Sequence, residues 1–172
     1  MIEESTTKKI LNMFFENPNK KFHLRELSRS MKVSLPTILT ATETLAKEKL
    51  IIKEKGKVMT LVYANLENKD FIRRKRVYNL QRIYDSNIVD NLAQMYGHPQ
   101  AIILFGSFSR GEDRENSDID IAVFSTKKIS FKQEKYEKIF KKIINIHEIE
   151  KERISSEFKA NLHNGILLEG SW

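Results

Sequence analysis

Two aspartates that alternate with apolar residues stand near the middle of the C-terminal half of the chain. Asp118 and Asp120 flank Ile119, and Ile121 and Val123 continue the alternation. Successive side chains of a β-strand point to opposite faces, so the two carboxylates share one face and the apolar residues the other. Neighbouring ionised carboxylates repel each other unless a cation lies between them, and Mg²⁺ prefers oxygen ligands. The spacing therefore predicts a site for Mg²⁺, or Mn²⁺, at Asp118 and Asp120.

A glycine-serine turn precedes this strand. The apolar run 101–105 predicts a buried strand, and Gly106 and Ser107 follow it directly. Because glycine has no Cβ, a phosphate can approach the main-chain N–H groups of such a turn, and the serine hydroxyl adds a donor. A phosphate-binding turn beside a metal-binding carboxylate pair is typical of a site for a nucleoside triphosphate.

These residues together resemble a known family. The order Gly-Ser-x-x-Arg-Gly, a short spacer and Ser-Asp-x-Asp is similar to the motif of the DNA polymerase β-like nucleotidyltransferase superfamily, most closely to its minimal members. The motif comprises Gly106, Ser107, Arg110, Gly111, Ser117, Asp118 and Asp120, and the resemblance extends from about residue 101 to the C terminus. It implies that Asp118 and Asp120 are catalytic and hold the metal. It also implies that a nucleoside triphosphate is the substrate, bound by Gly106, Ser107, Arg110 and Ser117.

One position departs from the pattern of that family. Its members normally carry a third carboxylate on the strand after the helix, where it helps to hold metal and deprotonates the attacking hydroxyl. The predicted strand 144–149 offers Asn145 at this position or, as the less favoured alternative, His147. Glu148 is the only carboxylate of the strand, but alternation places it on the apolar face. The resemblance therefore leaves it open whether the chain is an active enzyme.

The rest of the C-terminal segment predicts a small sheet with helices. Ser130 and Gln133 have the spacing of a capping box. The helix that they would begin is expected to bury Phe131, Tyr136, Ile139, Phe140 and Ile143. A last helix with Ile154 and Phe158 inward follows the strand 144–149. Residues 101–172 are thus expected to form an α/β, or α+β, domain with a mixed sheet.

Composition limits the remaining possibilities. The chain has 172 residues, room for one medium domain or two small ones, and contains no cysteine. Disulfides and thiolate metal sites are excluded, and a cytoplasmic location is the expectation. The acidic start of the sequence does not resemble a secretory signal, and no apolar run approaches the length needed to span a bilayer.

The positive charge is unevenly distributed. Residues 1–65 carry 12 basic and 7 acidic side chains, residues 66–100 carry 6 and 4, and residues 101–172 carry 12 of each. All of the net charge of +7 therefore precedes the Gly-Ser motif. A basic N-terminal half suits contact with a polyanion, and a neutral C-terminal half suits a chemical site.

The N-terminal segment 1–65 predicts three helices and a hairpin. Apolar spacing places a first helix from Thr6 to Asn17 and a second after Phe22, while Ser34 and Pro36 mark the start of a third that buries Ile38 and Leu45. A hairpin with Gly56 at its tip follows. This order resembles a winged helix-turn-helix domain, which implies contact of the third helix and the wing with duplex DNA.

Candidate DNA contacts follow from that resemblance. Thr37 and Thr40 are expected to face the groove, and phosphate contacts are expected at Lys32, Lys53, Lys55 and Lys57. The third helix is poor in the Arg, Asn and Gln side chains that read bases. Dimerisation, or packing on a neighbouring segment, is the alternative role for this domain.

Residues 66–100 predict a helical connector. Apolar residues recur at intervals of three and four from Phe71 to Met95, which indicates one long helix or two helices broken near residues 85–87. The basic run 73–76 is more typical of a solvated helix face than of a nucleic-acid contact. The apolar stripe either forms a homodimer seam or covers the sheet.

Two functions therefore fit the sequence. The first is an Mg²⁺-dependent nucleotidyltransferase tethered to a DNA-binding domain, with an acceptor that the sequence does not identify. The second is a DNA-binding regulator or antitoxin-like module, whose nucleotidyltransferase domain binds a nucleotide or a separately encoded protein partner without turnover.

Overall fold

The computed structural model describes residues 5–56, 59–150 and 154–171. It divides the chain into two compact units, residues 1–75 and residues 76–172. Lys57, one of the candidate DNA contacts, and Val58, expected to begin the second strand of the hairpin, lie outside the described residues. No helix in the described part of the chain combines the length and apolar character needed to cross a membrane.

The first unit contains three helices and a three-stranded antiparallel sheet. Its elements are α1 (Thr6–Glu16), β1 (Phe22–His23), α2 (Leu24–Met31), α3 (Leu35–Lys47), β2 (Ile51–Lys55) and β3 (Thr60–Ala64). The sheet order is β1-β3-β2, with antiparallel pairing throughout. The three helices and the hairpin lie where the sequence predicts them.

Capping side chains and apolar spacing explain the helices of this unit. Ser5 Oγ accepts the N–H of Lys8 at the start of α1, and Ser34 Oγ accepts the N–H of Thr37 at the start of α3. The inward faces of the three helices form a core in which Ile10, Phe14, Leu27, Ile38 and Leu45 are buried. The predicted inward positions of α3 are therefore confirmed.

Two helices follow the hairpin. They are α4 (Lys69–Asp85) and α5 (Ile88–Tyr96), separated at residues 86–87 where the sequence predicts a break. The helix α4 crosses the boundary between the two units at residue 75. The helix α5 packs into the core of the second unit and ends at Gly97, which has a left-handed backbone with φ of 67°.

The second unit is built on a mixed four-stranded sheet. Its further elements are β4 (Ala101–Phe105), α6 (Gly106–Arg110), β5 (Ile119–Phe124), α7 (Glu134–Phe140), β6 (Ile144–Ile149), α8 (Ser156–His163) and β7 (Ile166–Gly170). The order is β6-β5-β4-β7, with β5 and β6 parallel and the other pairs antiparallel. The expected combination of a mixed sheet and helices is confirmed.

The sheet buries different residues on its two faces. One face packs against α5, α7 and the second half of α4 in a core that includes Ile102, Leu104, Ile119, Ile121, Val123 and Ile144. The other face, partly covered by α8, buries Ala101, Ile103, Phe105, Ala122, Phe124 and Ile149. The strands β4 and β5 are therefore apolar on both sides, except where polar residues interrupt β5.

Three expectations for this unit were wrong. Residues 106–110 form the short helix α6 rather than only a glycine-serine turn. The capping box of Ser130 and Gln133 does not form, because α7 begins only at Glu134 and Gln133 itself has a helical backbone. Ile139 and Ile143 are 53% and 60% exposed; Ile143 lies outside the helix, because α7 ends at Phe140 and the next residue has a left-handed backbone.

Candidate active site where β4 ends and β5 and β6 begin

The two aspartates lie at the start of the central strand β5. Asp120 pairs with Phe105, the last residue of β4, in the antiparallel register and with Asn145, near the start of β6, in the parallel register. Asp118 is the residue immediately before β5. Both aspartates are half-buried. The topology therefore brings the Gly-Ser segment, the two aspartates and the polar positions of β6 to one edge of the sheet.

The absence of a side chain at Gly106 leaves room for the Asp120 carboxylate. Its backbone has φ of 75°, in the left-handed region that residues other than glycine rarely adopt. A Cβ at this position would lie 2.7 Å from Asp120 Oδ2, closer than any ordinary contact. The backbone conformation thus favours glycine here, and any Cβ would displace the Asp120 carboxylate from its present position.

Asn145 joins the two carboxylates. Its Nδ2 donates to Asp118 Oδ2 at 3.3 Å and to Asp120 Oδ1 at 3.1 Å. One neutral amide group therefore lies against both negative side chains and offsets part of their repulsion. Asn145, the favoured candidate for the third site position, faces the aspartates as the sequence predicts.

His147 faces the same site. Its Nε2 lies 3.3 Å from Asp120 Oδ1, and its ring makes an edge contact with Phe105 at a centroid distance of 5.1 Å. The hydrogen bond from His147 is the largest cause that lowers the pKa of Asp120, and the bond from Asn145 adds to it while burial opposes both. Asp120 is therefore an ionised carboxylate at neutral pH.

The carboxylate on the other side of β6 takes no part in this site. Glu148 Oε1 accepts the hydroxyl of Tyr96 at 2.7 Å and the N–H of Ile129 at 2.7 Å. It lies on the face expected from alternation and ties the loop before α7 to the sheet. The third position of the site is thus an amide with an imidazole beside it, rather than a carboxylate.

The remaining predicted nucleotide-binding residues have other partners in the structure. Arg110 is exposed, and its Nε donates to Glu112 Oε2 at 2.8 Å. Ser117 Oγ accepts the N–H of Arg114 at 2.9 Å and closes the turn that leads into Asp118. Ser107 is half-buried, and its carbonyl oxygen accepts the N–H of Glu112 at 3.0 Å.

The donor set suits one Mg²⁺ ion that also binds a substrate. No group of three or more His, Asp or Glu side chains in the described part of the chain is arranged to enclose a metal. However, Mg²⁺ is commonly held by one or two carboxylates together with water and substrate phosphates. Asp118 and Asp120 supply that number, so the residues fit a single ion better than a pair of ions.

Sequence reasoning missed three buried polar residues behind the site. The side chain of Asp113 accepts a hydrogen bond from Asn79 and forms an ion pair with Lys142. The Asn79 and Asp113 side chains are almost fully buried. Their separations along the chain are large, so no local spacing indicates the contacts. The polar run that contains Asp113 is typical of an exposed loop.

The candidate DNA contacts lie in the first unit. Thr37 and Thr40 are exposed on α3, and Thr40 Oγ1 donates to the carbonyl oxygen of Pro36 at 3.2 Å. The hydroxyl groups of Thr37 and Ser34 lie 2.8 Å apart. Both threonines therefore have local partners that a phosphate or base would have to replace or share.

The candidate lysines of this unit differ in their surroundings. Lys32 is exposed at the end of α2, and Lys55 is exposed at the end of β2. Lys53 is less accessible, since only 16% of its side chain is exposed and its Nζ lies 3.9 Å from Glu43. Of the three candidate lysines that the structure describes, Lys32 and Lys55 are consequently more open to a phosphate than Lys53.

Comparison with known proteins bears on the second unit. Residues 86–169 match the model of a family described as polymerase beta, nucleotidyltransferase. This match supports placing that segment in the DNA polymerase β-like superfamily, in agreement with the motif between Gly106 and Asp120. No curated protein matches the chain. No solved structure matches it either.

Proposed function

We propose that this protein is a metal-dependent nucleotidyltransferase that transfers a nucleoside monophosphate from a nucleoside triphosphate to an acceptor hydroxyl. The observation that carries the proposal is the pair of neighbouring carboxylates at Asp118 and Asp120, joined by Asn145 and with Asp120 against Gly106, within a segment that matches a nucleotidyltransferase family. In the reaction the acceptor oxygen bonds to the α-phosphorus and its hydroxyl proton passes to water, the bond from that phosphorus to the bridging oxygen breaks, and pyrophosphate leaves.

The chain needs mainly to position charge for this chemistry. Asp118 and Asp120 would hold Mg²⁺ together with triphosphate oxygens, and such an ion would supply positive charge against the α-phosphate and the pyrophosphate. Main-chain N–H groups at Gly106 and Ser107 would bind phosphate oxygens. Arg110 would neutralise the leaving group, which requires it to exchange Glu112 for the substrate.

The neutral third position supports a second candidate function. Asn145 contacts both aspartates, and the resemblance implies a carboxylate at this position in the family, whereas an amide cannot accept the proton of the attacking hydroxyl. A domain of this kind would bind a triphosphate with little turnover and act as a regulator or antitoxin-like module with a separate protein partner. Turnover measured on the wild-type protein separates the two functions.

A labelling experiment tests the proposed activity. Purified protein is incubated with each α-labelled nucleoside triphosphate, with Mg²⁺ or Mn²⁺, and with native cell extract as the source of acceptor. We expect label transfer that Asp118→Ala and Asp120→Ala abolish and that Glu134→Ala, an exposed acidic residue of α7, leaves unchanged. Nucleotide binding without transfer by wild type would favour the regulatory function.

DNA binding by the first unit completes the proposal. The order of helices and hairpin in this unit, the excess of basic over acidic residues and the exposure of Lys32 and Lys55 support it. Phosphate contacts release counterions, so the Lys32→Ala, Lys55→Ala variant should lower the slope of log affinity against log salt by roughly one to two. Lys9→Ala on α1 is the control, and absence of duplex binding at low salt would refute this part.

A further inference from the structure

A buried lysine lies behind the loop that joins α6 to β5. Lys142 follows α7, and only 8% of its side chain is exposed. Its Nζ lies 3.4 Å from Asp113 Oδ2. It also donates to the backbone carbonyl oxygens of Arg114, Glu115 and Ser117, the last at 3.3 Å. One side chain thus contacts the loop at four successive or nearly successive residues.

The start of this loop is held as well. Asp113 Oδ1 accepts Asn79 Nδ2 at 2.7 Å, and the same nitrogen donates to the carbonyl oxygen of Phe108 in α6 at 3.0 Å. Asn79 belongs to α4 and is 2% exposed. The loop is therefore fixed to α4 at one end and to the α7–β6 connection at the other.

Burial of Lys142 and Asp113 is unfavourable unless their polar atoms are paired. An ammonium group has three N–H donors, and here several loop oxygens compete for them. A buried ion pair often contributes no more to stability than apolar side chains of the same volume would. The contacts therefore account better for a defined loop conformation than for a gain in folding free energy.

The loop ends at the first aspartate of the site. Ser117, whose carbonyl oxygen accepts Lys142 Nζ, directly precedes Asp118. On the other side of Asp118, the N–H of Ile119 donates to the carbonyl oxygen of Ile143 at 2.9 Å. Asp118 thus lies between two attachments to residues 142–143, one made by a side chain and one by the backbone.

We infer that Lys142 is a positioning residue that holds Asp118 in place to share a cation with Asp120 and a triphosphate. The inference rests on the proposed nucleotide site, and it assigns Lys142 no contact with substrate. Loss of the ammonium group would remove its hydrogen bonds to the backbone of residues 114–117. The Asp118 carboxylate would then sample positions away from Asp120. The cation site would weaken while the sheet stayed folded.

Replacement of Lys142 by methionine tests the inference, because methionine keeps much of the stem and removes the charge. Two quantities are measured well below the unfolding temperature: amide hydrogen exchange of residues 114–120, and the Mg²⁺-dependent affinity for ATP, GTP, CTP and UTP. For Lys142→Met we expect at least tenfold faster exchange in this loop and at least tenfold weaker nucleotide binding. Lys142→Arg should recover part of both, and Lys138→Met, exposed on α7, should change neither.

Each contrary result has a distinct meaning. Unchanged loop exchange, or unchanged nucleotide affinity, in a folded Lys142→Met protein overturns the inference. If wild type binds none of the four nucleotides, the proposed function fails, whereas the exchange comparison still decides whether Lys142 fixes the loop. If Lys142→Met does not fold, Asp113→Asn removes the partner charge instead, and unchanged exchange of residues 114–120 in that variant contradicts the inference.

Discussion

The two faces of strands β5 and β6 differ in what they bury. On one face Ile119, Ile121 and Ile144 are fully buried in a core closed by three helices. On the opposite face Asp120 and Asn145 are half-buried and contact each other. The same alternation of side chains thus produces a closed apolar layer and, one residue away, an accessible polar site.

Residues that stabilise the fold and residues of the candidate site therefore alternate within a few positions of the same strands. Fully buried aliphatic side chains stabilise the fold in proportion to the apolar area removed from water. The polar face instead concentrates negative charge at Asp118 and Asp120, which Asn145 and His147 offset only in part. Substitutions of the buried apolar residues should therefore change the free energy of unfolding, and substitutions of the polar residues at the start of the opposite face should change ligand binding and rate.

The largest expected effect comes from placing a carboxylate at position 145. Asn145→Asp would add a proton acceptor beside Asp118 and Asp120, and general-base catalysis typically contributes about 10²- to 10⁴-fold. We expect a gain in nucleotidyl transfer of that order, together with lower stability in the absence of Mg²⁺ because three carboxylates then meet. Rates and unfolding temperatures with and without Mg²⁺ check both parts. An inert Asn145→Asp with an inactive His147→Ala would instead identify His147 as the base.

A smaller effect is expected from the apolar face. Ile121 lies in the core directly after Asp120, and truncation of such a residue costs about 2–5 kcal/mol. Ile121→Ala should therefore lower the free energy of unfolding by that amount and leave the nucleotide dissociation constant of the folded protein unchanged. Ile143→Ala, at an exposed position, should change stability by less than about 0.5 kcal/mol. A large loss of affinity in folded Ile121→Ala would break the separation of the two faces.

The smallest effect concerns the contact between Tyr96 and Glu148 on the apolar side. Burial, followed by the hydrogen bond to Glu148, raises the pKa of Tyr96 above its usual range. Tyr96→Phe removes this bond and should cost about 1 kcal/mol. A tyrosine whose pKa is raised in the folded protein contributes its full stabilisation below the pKa of about 10 that it has in the unfolded chain. That contribution is lost as the pH rises further. The difference in free energy of unfolding between wild type and Tyr96→Phe should therefore shrink and then change sign as the pH rises above about 10, and a constant difference would contradict this explanation.

Local pattern was sufficient to predict the carboxylate pair and most elements. The alternation around Ile119 specifies which face Asp118 and Asp120 share, and Ser34 with Pro36 specifies the start of α3. These signals depend only on neighbours in sequence. They could be found without knowledge of the tertiary structure.

The features that sequence missed depend on distant residues. The approach of Asp120 to Gly106 comes from a neighbouring strand, and Lys142 is buried because Asp113 and the loop carbonyl oxygens satisfy it. The early end of α7 rotates Ile143 outward, whereas Lys142 points inward. Apolar spacing alone favours the opposite arrangement, since it assigns burial by residue type and not by available partners.

Calorimetry of nucleotide binding tests whether Asp118 and Asp120 form a Mg²⁺-dependent nucleotide site. Each of ATP, GTP, CTP and UTP is titrated into wild type and into the Asp118→Asn, Asp120→Asn double variant, with Mg²⁺ and with a chelator. We expect that wild type binds at least one nucleotide only with Mg²⁺, and that the folded variant loses this binding, because amides keep the shape of the side chains but supply no charge to hold the ion. Equal affinity with and without Mg²⁺, or equal affinity of both proteins, would contradict it.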